Sequence, residues 1–342
     1  MKKYFLLVTF MLLCLCGCGK MNVNDVINNF TNKVNSSKSY KLVGTMEISN
    51  NDEVFTYSLE SYHLKDDYYK VVLVNQTNNH EQVILKNKEG LYVVTPSLNK
   101  SFKFDSIWPD NSSQAYLLGN LVNDLKNDAN AEMEETDSGY IIKSKVDYPN
   151  NEELVYQKLY FDKEMNIEKT EVYNDNDIAK IKVNFTKVDL KAKLNEDDFV
   201  LDNLIDEEKI DNKECEDDNC PTEQSAALDD IIYPLYIPAN TYLSNSEKVT
   251  SDDINRVILT FSGDKNFVIV EQPIQASNEF EVIPVYGDPL MLDETVGAIS
   301  SNSLSWNANN IEYYLVSSDL STKEMVSVAL SLGNTTTVAS VK

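Results

Sequence analysis

The sequence predicts an α+β protein built from a curved antiparallel sheet wrapped round a helix, an acidic linker and a small C-terminal α+β domain. Three observations lead to this fold class. Apolar and polar residues alternate through much of residues 40–188, as they do in antiparallel strands with one buried face. One helical pattern, near residues 112–126, interrupts this alternation. Carboxylates then crowd into residues 202–224, and charged stretches of this kind mark domain boundaries.

The chain begins with the pattern of a secretory signal. Lys2 and Lys3 form a basic start, an apolar run follows over residues 4–15, and the small residue Gly17 offers a cleavage position. The apolar run is too short for a membrane-spanning helix, which needs about 20 apolar residues. We therefore predict a signal peptide over residues 1–17, with an uncleaved signal anchor or plain secretion as the alternatives.

Cys18 follows the predicted cleavage position, and this arrangement resembles the lipobox of bacterial lipoproteins. Cys14 and Cys16 each follow a leucine, so Cys18 is the only one of the three cysteines with a small residue before it. The resemblance implies that a diacylglyceryl group is attached to Cys18, which becomes the first residue of the mature protein. Because two acyl chains give stable anchoring, we expect a lipid-anchored protein on the extracytoplasmic face of the cell membrane. No other cofactor is expected.

The first element after the signal is a predicted amphipathic helix. Its apolar residues recur with helical spacing on one face, at Val23, Val26, Ile27, Phe30 and Val34. The period then changes to two, and pairs of Asn and Asp mark the turns between strands. The strands predicted from this pattern are 40–48, 55–60, 68–74, 82–86, 91–95, 101–104, 140–146, 154–161, 167–173 and 179–188. Short strands with tight turns indicate a meandering antiparallel sheet.

A second helix is predicted near Ser112–Lys126, within the strand pattern. Its apolar residues are Leu117, Leu118, Leu121, Val122 and Leu125. Ser112 or Ser113 could cap its first turn, since serine is a favoured N-cap residue. A single helix among antiparallel strands must bury its apolar face against a sheet, so we expect the sheet to curve round it.

The order of these elements between residues 22 and 199 resembles the lipoprotein-localisation superfamily. This superfamily contains the periplasmic lipoprotein carrier LolA, its outer-membrane receptor and a sensor that regulates an anti-sigma factor. The stretches that carry the resemblance are SYKLVGTMEI, SYHLKDDYYKVVLV, QVILKNKEGLYVVTPSLNKSFKF and FDKEMNIEKTEVY, on either side of the mid-chain helix. The resemblance implies a LolA-like half-barrel over residues 18–201.

The same resemblance implies that apolar residues on the concave side of the half-barrel could line a cavity for acyl chains. The candidates for this cavity are Tyr57, Leu59, Val72, Val74, Leu91, Val93, Leu117 and Leu121. Ordinary packing in the core is the alternative role for each of them, since interior apolar positions mostly serve packing.

Residues 202–228 are predicted to form an acidic linker. The linker contains Cys215 and Cys220 with acidic residues between them. Outside the cytosol an isolated pair of cysteines most often forms a disulfide, which is the pairing we expect. A metal site is the alternative, but two thiols without a nearby histidine make a weak zinc site. No metal is therefore predicted.

Residues 229–342 are predicted to form a separate α+β domain. Its predicted strands are 256–261, 267–271, 280–285, 304–306 and 311–316. Ser321 and Glu324 form a capping box at the start of a helix that should end at Gly333. The IPAN opening, the strand pair around Trp306 and this last helix resemble a small domain of unassigned function in extracytoplasmic proteins of spore-forming bacteria. The two parts together resemble sporulation-associated and spore-germination lipoproteins.

Charge and motifs narrow the classes of function. The formal net charge of −25 repels phosphate backbones and anionic lipid headgroups, so nucleic acid is not expected as a partner. The two histidines, His63 and His80, belong to no metal-ligand or catalytic pattern. The sequence contains no Gly-x-Ser-x-Gly motif and no glycine-rich phosphate loop. We therefore expect a protein that is not an enzyme.

The predicted function is that of a membrane-anchored binding or scaffold lipoprotein. Its ligand would be apolar, either an acyl chain or a lipoprotein, or its partner would be an envelope protein, with a role in sporulation or germination. A sensor lipoprotein that regulates a signalling partner or a hydrolase is the first alternative. A cell-envelope enzyme is the second.

Overall fold

The computed structural model describes residues 21–50, 53–204, 231–251, 254–277, 279–308 and 310–332. The signal peptide, Cys18 and the linker cysteines Cys215 and Cys220 lie outside these residues, so their predicted roles stay predictions. We call residues 21–204 the N-terminal half and residues 231–332 the C-terminal half.

The described residues form three α-helices, α1 Val23–Ser36, α2 Leu118–Asn127 and α3 Thr322–Leu332. The strands of the N-terminal half are β1 Ser39–Asn50, β2 Glu53–Leu64, β3 Tyr68–Asn75, β4 Glu81–Asn87, β5 Gly90–Thr95, β6 Lys100–Asp105, β7 Glu132–Glu135, β8 Gly139–Lys145, β9 Leu154–Asp162, β10 Ile167–Asn174 and β11 Ala179–Asp189. The strands of the C-terminal half are β12 Thr241–Ser251, β13 Ile254–Gly263, β14 Phe267–Pro273, β15 Glu281–Tyr286, β16 Asp288–Met291, β17 Val296–Ile299, β18 Ser303–Ala308 and β19 Ile311–Val316.

The larger sheet has twelve strands in the order β15-β6-β5-β4-β3-β2-β1-β11-β10-β9-β8-β7. Each strand from β1 to β5 pairs with the next one along the chain, and β11 returns to pair with β1. The register of β1 and β11 shifts between Val43 and Gly44. A Cβ atom at Gly44 would lie 2.1 Å from the backbone oxygen of Asn184, so only glycine allows this approach. The predicted meander is therefore present.

Helix α1 forms as its sequence predicts. Asn22 caps it through a capping box, in which its side chain accepts from the backbone N–H of Asp25 and the Asp25 carboxylate accepts in return. Its buried face packs with α2 on the concave side of the sheet. The rings of Phe30 and Phe161 meet edge to face with centroids 5.1 Å apart, a favoured aromatic geometry.

Helix α2 begins later than predicted. Its first helical residue is Leu118, and neither Ser112 nor Ser113 caps it. The hydroxyl of Ser113 instead donates to Asp124 at 2.8 Å and accepts from the backbone N–H of Asp147 at 2.8 Å. These contacts tie the segment before the helix to the chain after β8, which leaves the serine unable to serve as a cap.

The smaller sheet has seven strands in the order β12-β13-β14-β19-β18-β17-β16. Helix α3 packs on one face of it, and Met325, Val328 and Leu332 are buried there. The capping box predicted for this helix is present, because Ser321 and Glu324 each accept from the backbone N–H of the other. The predicted hairpin between β18 and β19 is also present.

Strand β15 differs from the prediction of a separate C-terminal domain. The sequence predicts this strand within that domain, but it pairs in parallel with β6 at the edge of the twelve-stranded sheet. Val296 and Ala298 of β17 also lie in the same buried cluster as Met46 and Leu73 of the N-terminal half. The two halves therefore share one sheet and one core cluster. Periodicity does not report such a contact, because it depends on pairing between distant segments.

Candidate binding cleft

The residues predicted to line an acyl-chain cavity fall into three places. Five of them are buried in the core cluster on the concave face, namely Tyr57, Leu59, Leu91, Val93 and Leu117. Leu121 lies on α2 and is buried in the cluster that this helix shares with α1. Val72 and Val74 alternate with the concave-facing Val71 and Leu73, so they lie on the opposite face, which corrects their expected position. The run Val71–Val74 is apolar throughout, so its pattern left the inward face ambiguous.

A cleft of about 1230 Å³, counted out to its open mouth, lies between the two halves. We call it the first cleft. Its walls come from β1, the segments 108–116 and 148–154, β16 and α3. The apolar side chains in these walls include Met46, Ile48, Ile84, Trp108, Leu154, Ile181, Val296 and Leu330. The eight predicted cavity residues are not among its lining residues, and their contact with a ligand stays a prediction.

Hydrogen bonds beside the first cleft hold the C-terminal half to the N-terminal half. Asn111 Nδ2 donates to Asp288 Oδ1 at 2.7 Å, and Asn50 Nδ2 donates to Asp293 Oδ2 at 2.6 Å. The Tyr57 hydroxyl donates to the backbone oxygen of Asp293. These bonds join residues at least 177 positions apart, so they fix the two halves rather than local structure.

A further bond lies deeper in the interface. The backbone N–H of Val296 donates to Gln82 Oε1 at 2.7 Å, and both residues are buried. A buried N–H costs free energy if it has no acceptor, so Gln82 is needed where β17 enters the shared core.

Burial changes the acidity of the carboxyls at this interface. The pKa of Asp293 is raised to about 6, mainly by burial; the hydrogen bond from Asn50 opposes this rise, and the nearby Glu53 and Glu294 contribute to it. Burial also raises the pKa of Glu294, with a smaller contribution from Glu53. The pKa of Tyr57 rises for the same reason, first through burial and then through Glu294 and Asp293. Asp293, Glu294 and Tyr57 therefore keep their protons to a higher pH than the same groups do in water.

A second buried carboxyl, Asp124, lies on α2. It accepts from Ser113 at 2.8 Å and from Gln157 Nε2 at 3.0 Å. Burial raises its pKa to about 6, and Asp147 adds to the effect. Because Ser113 belongs to the segment before α2 and Gln157 to β9, this carboxyl holds one wall of the first cleft to the sheet.

Both histidines are partly buried in the fold. His63 Nδ1 lies 3.1 Å from the backbone oxygen of Tyr68, and its ring lies between those of Tyr40 and Tyr69 with centroids 4.9 and 4.7 Å away. Burial lowers the pKa of His63 and of His80. His63 is thus a half-buried residue that packs between two tyrosine rings.

Two amide–carboxylate pairs, Asn111–Asp288 and Asn50–Asp293, lie in the lining of the first cleft. Across the ranges given above, no three His, Cys, Asp or Glu side chains are placed to hold a metal ion. None of the helices described here has both the length and the apolar character needed to cross a membrane.

No known family profile matches the chain. The chain is 32% identical over 334 residues to the sporulation protein YdcC of Bacillus subtilis (strain 168), with 97% of each chain covered. The chain therefore belongs to the family of this sporulation protein, which confirms the predicted relation to sporulation proteins.

Solved structures similar to the chain include the LolA superfamily protein NE2245 from Nitrosomonas europaea. It is 10% identical with a TM-score of 0.32, over 54% of this chain and 99% of that one. The MucA/MucB complex of Pseudomonas aeruginosa is 13% identical with a TM-score of 0.31, over 91% of this chain and 98% of that one.

Proposed function

We propose that this protein is a membrane-anchored, non-enzymatic binding lipoprotein that acts in sporulation. In this proposal the diacylglyceryl group on Cys18 holds the protein at the extracytoplasmic face of the cell membrane. The first cleft then binds an apolar ligand, an acyl chain or the acylated end of a lipoprotein, or it receives an apolar segment of an envelope protein. The 32% identity to a sporulation protein supports the biological setting.

The observation that carries the proposal is the chemistry of the first cleft. Ligand sites are typically concave and mostly apolar, with a few fixed polar groups. The cleft has apolar walls at Met46, Trp108 and Leu154 and hydrogen-bonded groups at Asn50 and Asn111. Its volume of about 1230 Å³ includes the solvent at its open mouth, so the enclosed part is smaller.

The test is purification of the full-length lipoprotein from membranes of sporulating cells, followed by native mass spectrometry and lipid extraction. We expect an apolar molecule or an acylated protein to accompany the wild-type protein. Ile48→Trp should deplete it, because the larger side chain narrows the cleft from β1. Ile178→Trp places the same side chain at a position that is 53% exposed and should have no effect.

The same preparation tests the lipid anchor on Cys18. Cys18→Ser should abolish incorporation of labelled palmitate and release the protein from the membrane. An unlabelled wild-type protein would contradict the anchor. A wild-type protein without any apolar companion, or one whose companion survives Ile48→Trp, would contradict the role of the cleft.

A further inference from the structure

Glu271 of β14 is a carboxyl buried in the core of the C-terminal half. The residue has no exposed surface, and Phe267 and Ile269 are buried beside it on the same face of the strand. Its Oε1 atom has no hydrogen-bond partner among the described residues. Burying a carboxylate without enough partners costs free energy, so this group is under strong pressure to keep its proton.

The other carboxyl oxygen of Glu271 holds the segment 231–238, which we call the strap. Glu271 Oε2 accepts from the backbone N–H of Ile232 at 3.2 Å. The backbone N–H of Leu235 donates to the Ser331 oxygen of α3 at 3.5 Å. The two prolines of the strap have no N–H to donate. Of these two bonds to the rest of the half, the shorter one thus ends on Glu271.

The strap can move more easily than the strand beneath it. Ile231 and Ile237 are only partly buried against the core, and Tyr233 and Leu235 are 47% and 75% exposed. Strand β14, in contrast, lies inside the seven-stranded sheet with β13 and β19 paired to its two edges. If water is to reach the carboxyl, the strap is therefore the element that must lift.

The groups that face Glu271 follow from the strand register. Val257 of β13 and Tyr313 of β19 lie directly opposite it, and the strap presents the Ile232 N–H. The residues that α3 buries on this face are apolar. Tyr313 is the one titratable group among these neighbours, and its hydroxyl is also buried without a partner among the described residues. Directly opposed residues have Cβ atoms about 4.5–5.5 Å apart, so the two side chains are neighbours.

A proton suits this arrangement better than a charge. Burial raises the pKa of Glu271 to about 7, and the hydrogen bond from Ile232 opposes the rise. A neutral carboxyl can accept from the strap with one oxygen and donate its proton with the other, for which the Tyr313 hydroxyl lies opposite in the register. A carboxylate at the same position is a buried charge, and lifting the strap would let water solvate it.

We propose that Glu271 is a proton-controlled latch for the strap. With the proton bound, the strap is closed over the core of the C-terminal half. When the proton leaves, the strap lifts and water reaches the carboxylate. Because the strap follows the predicted acidic linker, the point at which the linker joins the C-terminal half would loosen as the pH rises.

Hydrogen exchange of the full-length protein in detergent tests the latch, with mass spectrometry of peptides that span residues 231–238. The protection factor is used, because it corrects for the intrinsic effect of pH on exchange. The proton stabilises the closed strap fully below the ordinary glutamate pKa of about 4.3, and this stabilisation is lost as the pH rises towards 7. We expect the protection of the strap to fall by about tenfold or more between pH 5 and pH 7.5.

Two variants at this position separate the latch from simple packing. Glu271→Gln keeps the shape and the acceptor for Ile232 but cannot titrate, so its protection should change by less than about twofold over the same range. Glu271→Leu removes the acceptor and should already lose protection at pH 5. Thermal melting checks that each variant folds. A wild-type strap with constant protection, or a Glu271→Gln strap that loses protection as the wild type does, would overturn the proposal.

Two further variants and one reference strand test where the effect originates. Tyr313→Phe removes the neighbouring titratable group, and Glu247→Gln removes an exposed carboxylate from β12 of the same sheet. Both should keep the pH dependence of the wild-type strap, and its disappearance in either one would contradict the assignment to Glu271. Peptides from β13 should keep their protection, and an equal loss there would mean that the whole half opens and no latch exists.

Discussion

The concave face of the twelve-stranded sheet is covered in two different ways. Over one part, α1 and α2 lie directly on the strands, and Phe30, Leu121 and Phe161 are almost fully buried there. We call this cluster the helix core. Over the other part, the cover is the turn between β16 and β17 together with α3, and Val296 is buried against Met46. We call this second region the interface core.

The two regions differ in what holds them. The helix core is closed by apolar side chains from elements that lie near each other in the fold of the N-terminal half. The interface core combines apolar burial with directional hydrogen bonds, which Asn50 and Asn111 donate and Gln82 accepts, and it contains the first cleft. Apolar burial contributes stability without regard to direction, whereas hydrogen bonds fix position. The helix core therefore stabilises the fold, and the interface core positions the surfaces that can bind a ligand.

The largest effect expected from this comparison is in the helix core. Phe30 is 3% exposed, so Phe30→Ala should lower the free energy of unfolding by about 3–5 kcal/mol through lost burial and a cavity. Urea unfolding measures this free energy through tryptophan fluorescence. Trp108 reports on the N-terminal half and Trp306 on the C-terminal half.

Phe30→Leu is the matched control, because it keeps much of the apolar volume and should cost about 1–2 kcal/mol. A cost below about 1 kcal/mol for Phe30→Ala would contradict the role given to the helix core.

The next effect concerns the interface core. Gln82→Met keeps the size of the side chain but removes the acceptor of the Val296 N–H, and leaving that buried donor unpaired should cost about 1–3 kcal/mol. Hydrogen exchange gives a second readout, since the Val296 amide should lose its protection while amides of the helix core keep theirs.

Gln76→Met, at an exposed turn position, should change the free energy of unfolding by less than about 0.5 kcal/mol. If the Val296 amide stays protected in Gln82→Met, then Gln82 does not anchor the turn, and the contrast between the two regions is weaker than we infer.

Most elements of the N-terminal half follow from local patterns in the sequence. Strands such as β1, β2 and β9 alternate with period two, whereas β3–β5 are short apolar runs between turns. Helix α1 has a one-sided apolar face with Asn22 as its cap. These signals depend only on neighbouring residues. Strand β7 carries Glu132–Glu135, which has no apolar alternation, and only its pairing with β8 makes it a strand.

Most residues of the candidate sites could not be predicted from the sequence. Nothing near Asp293 indicates that its carboxyl will be buried beside Glu53, because the two residues are 240 positions apart and meet only through the fold. The parallel pairing of β15 with β6 is hidden for the same reason. A sequence with 55 acidic residues also contains many carboxylate pairs that mean nothing, so the relevant ones cannot be selected before the structure is known.

The smallest effect is a pH dependence of the interface core. Asp293 has a pKa of about 6 in the folded protein, above the usual value of about 3.9 for an unfolded chain. Between these values the folded protein holds a proton that the unfolded chain has released. The free energy of unfolding that depends on Asp293 is therefore largest at low pH and is lost as the pH rises from about 4 to about 6.

Asp293→Asn removes this titration but keeps a side chain of the same shape beside Asn50. We expect the decline in the free energy of unfolding between pH 4 and pH 6 to become shallower by about 1 kcal/mol, a modest value because the side chain is only partly buried. Asp124 titrates in the same range with the same sign, so Asp124→Asn should remove a further part of the slope. Glu271, whose pKa is raised by burial to about 7, should keep part of it. Asp137→Asn, at an exposed turn, should leave the slope unchanged. A slope in Asp293→Asn equal to that of the wild type would show that this carboxyl is solvated in the folded protein, and the interface core would then be more open than its hydrogen bonds indicate.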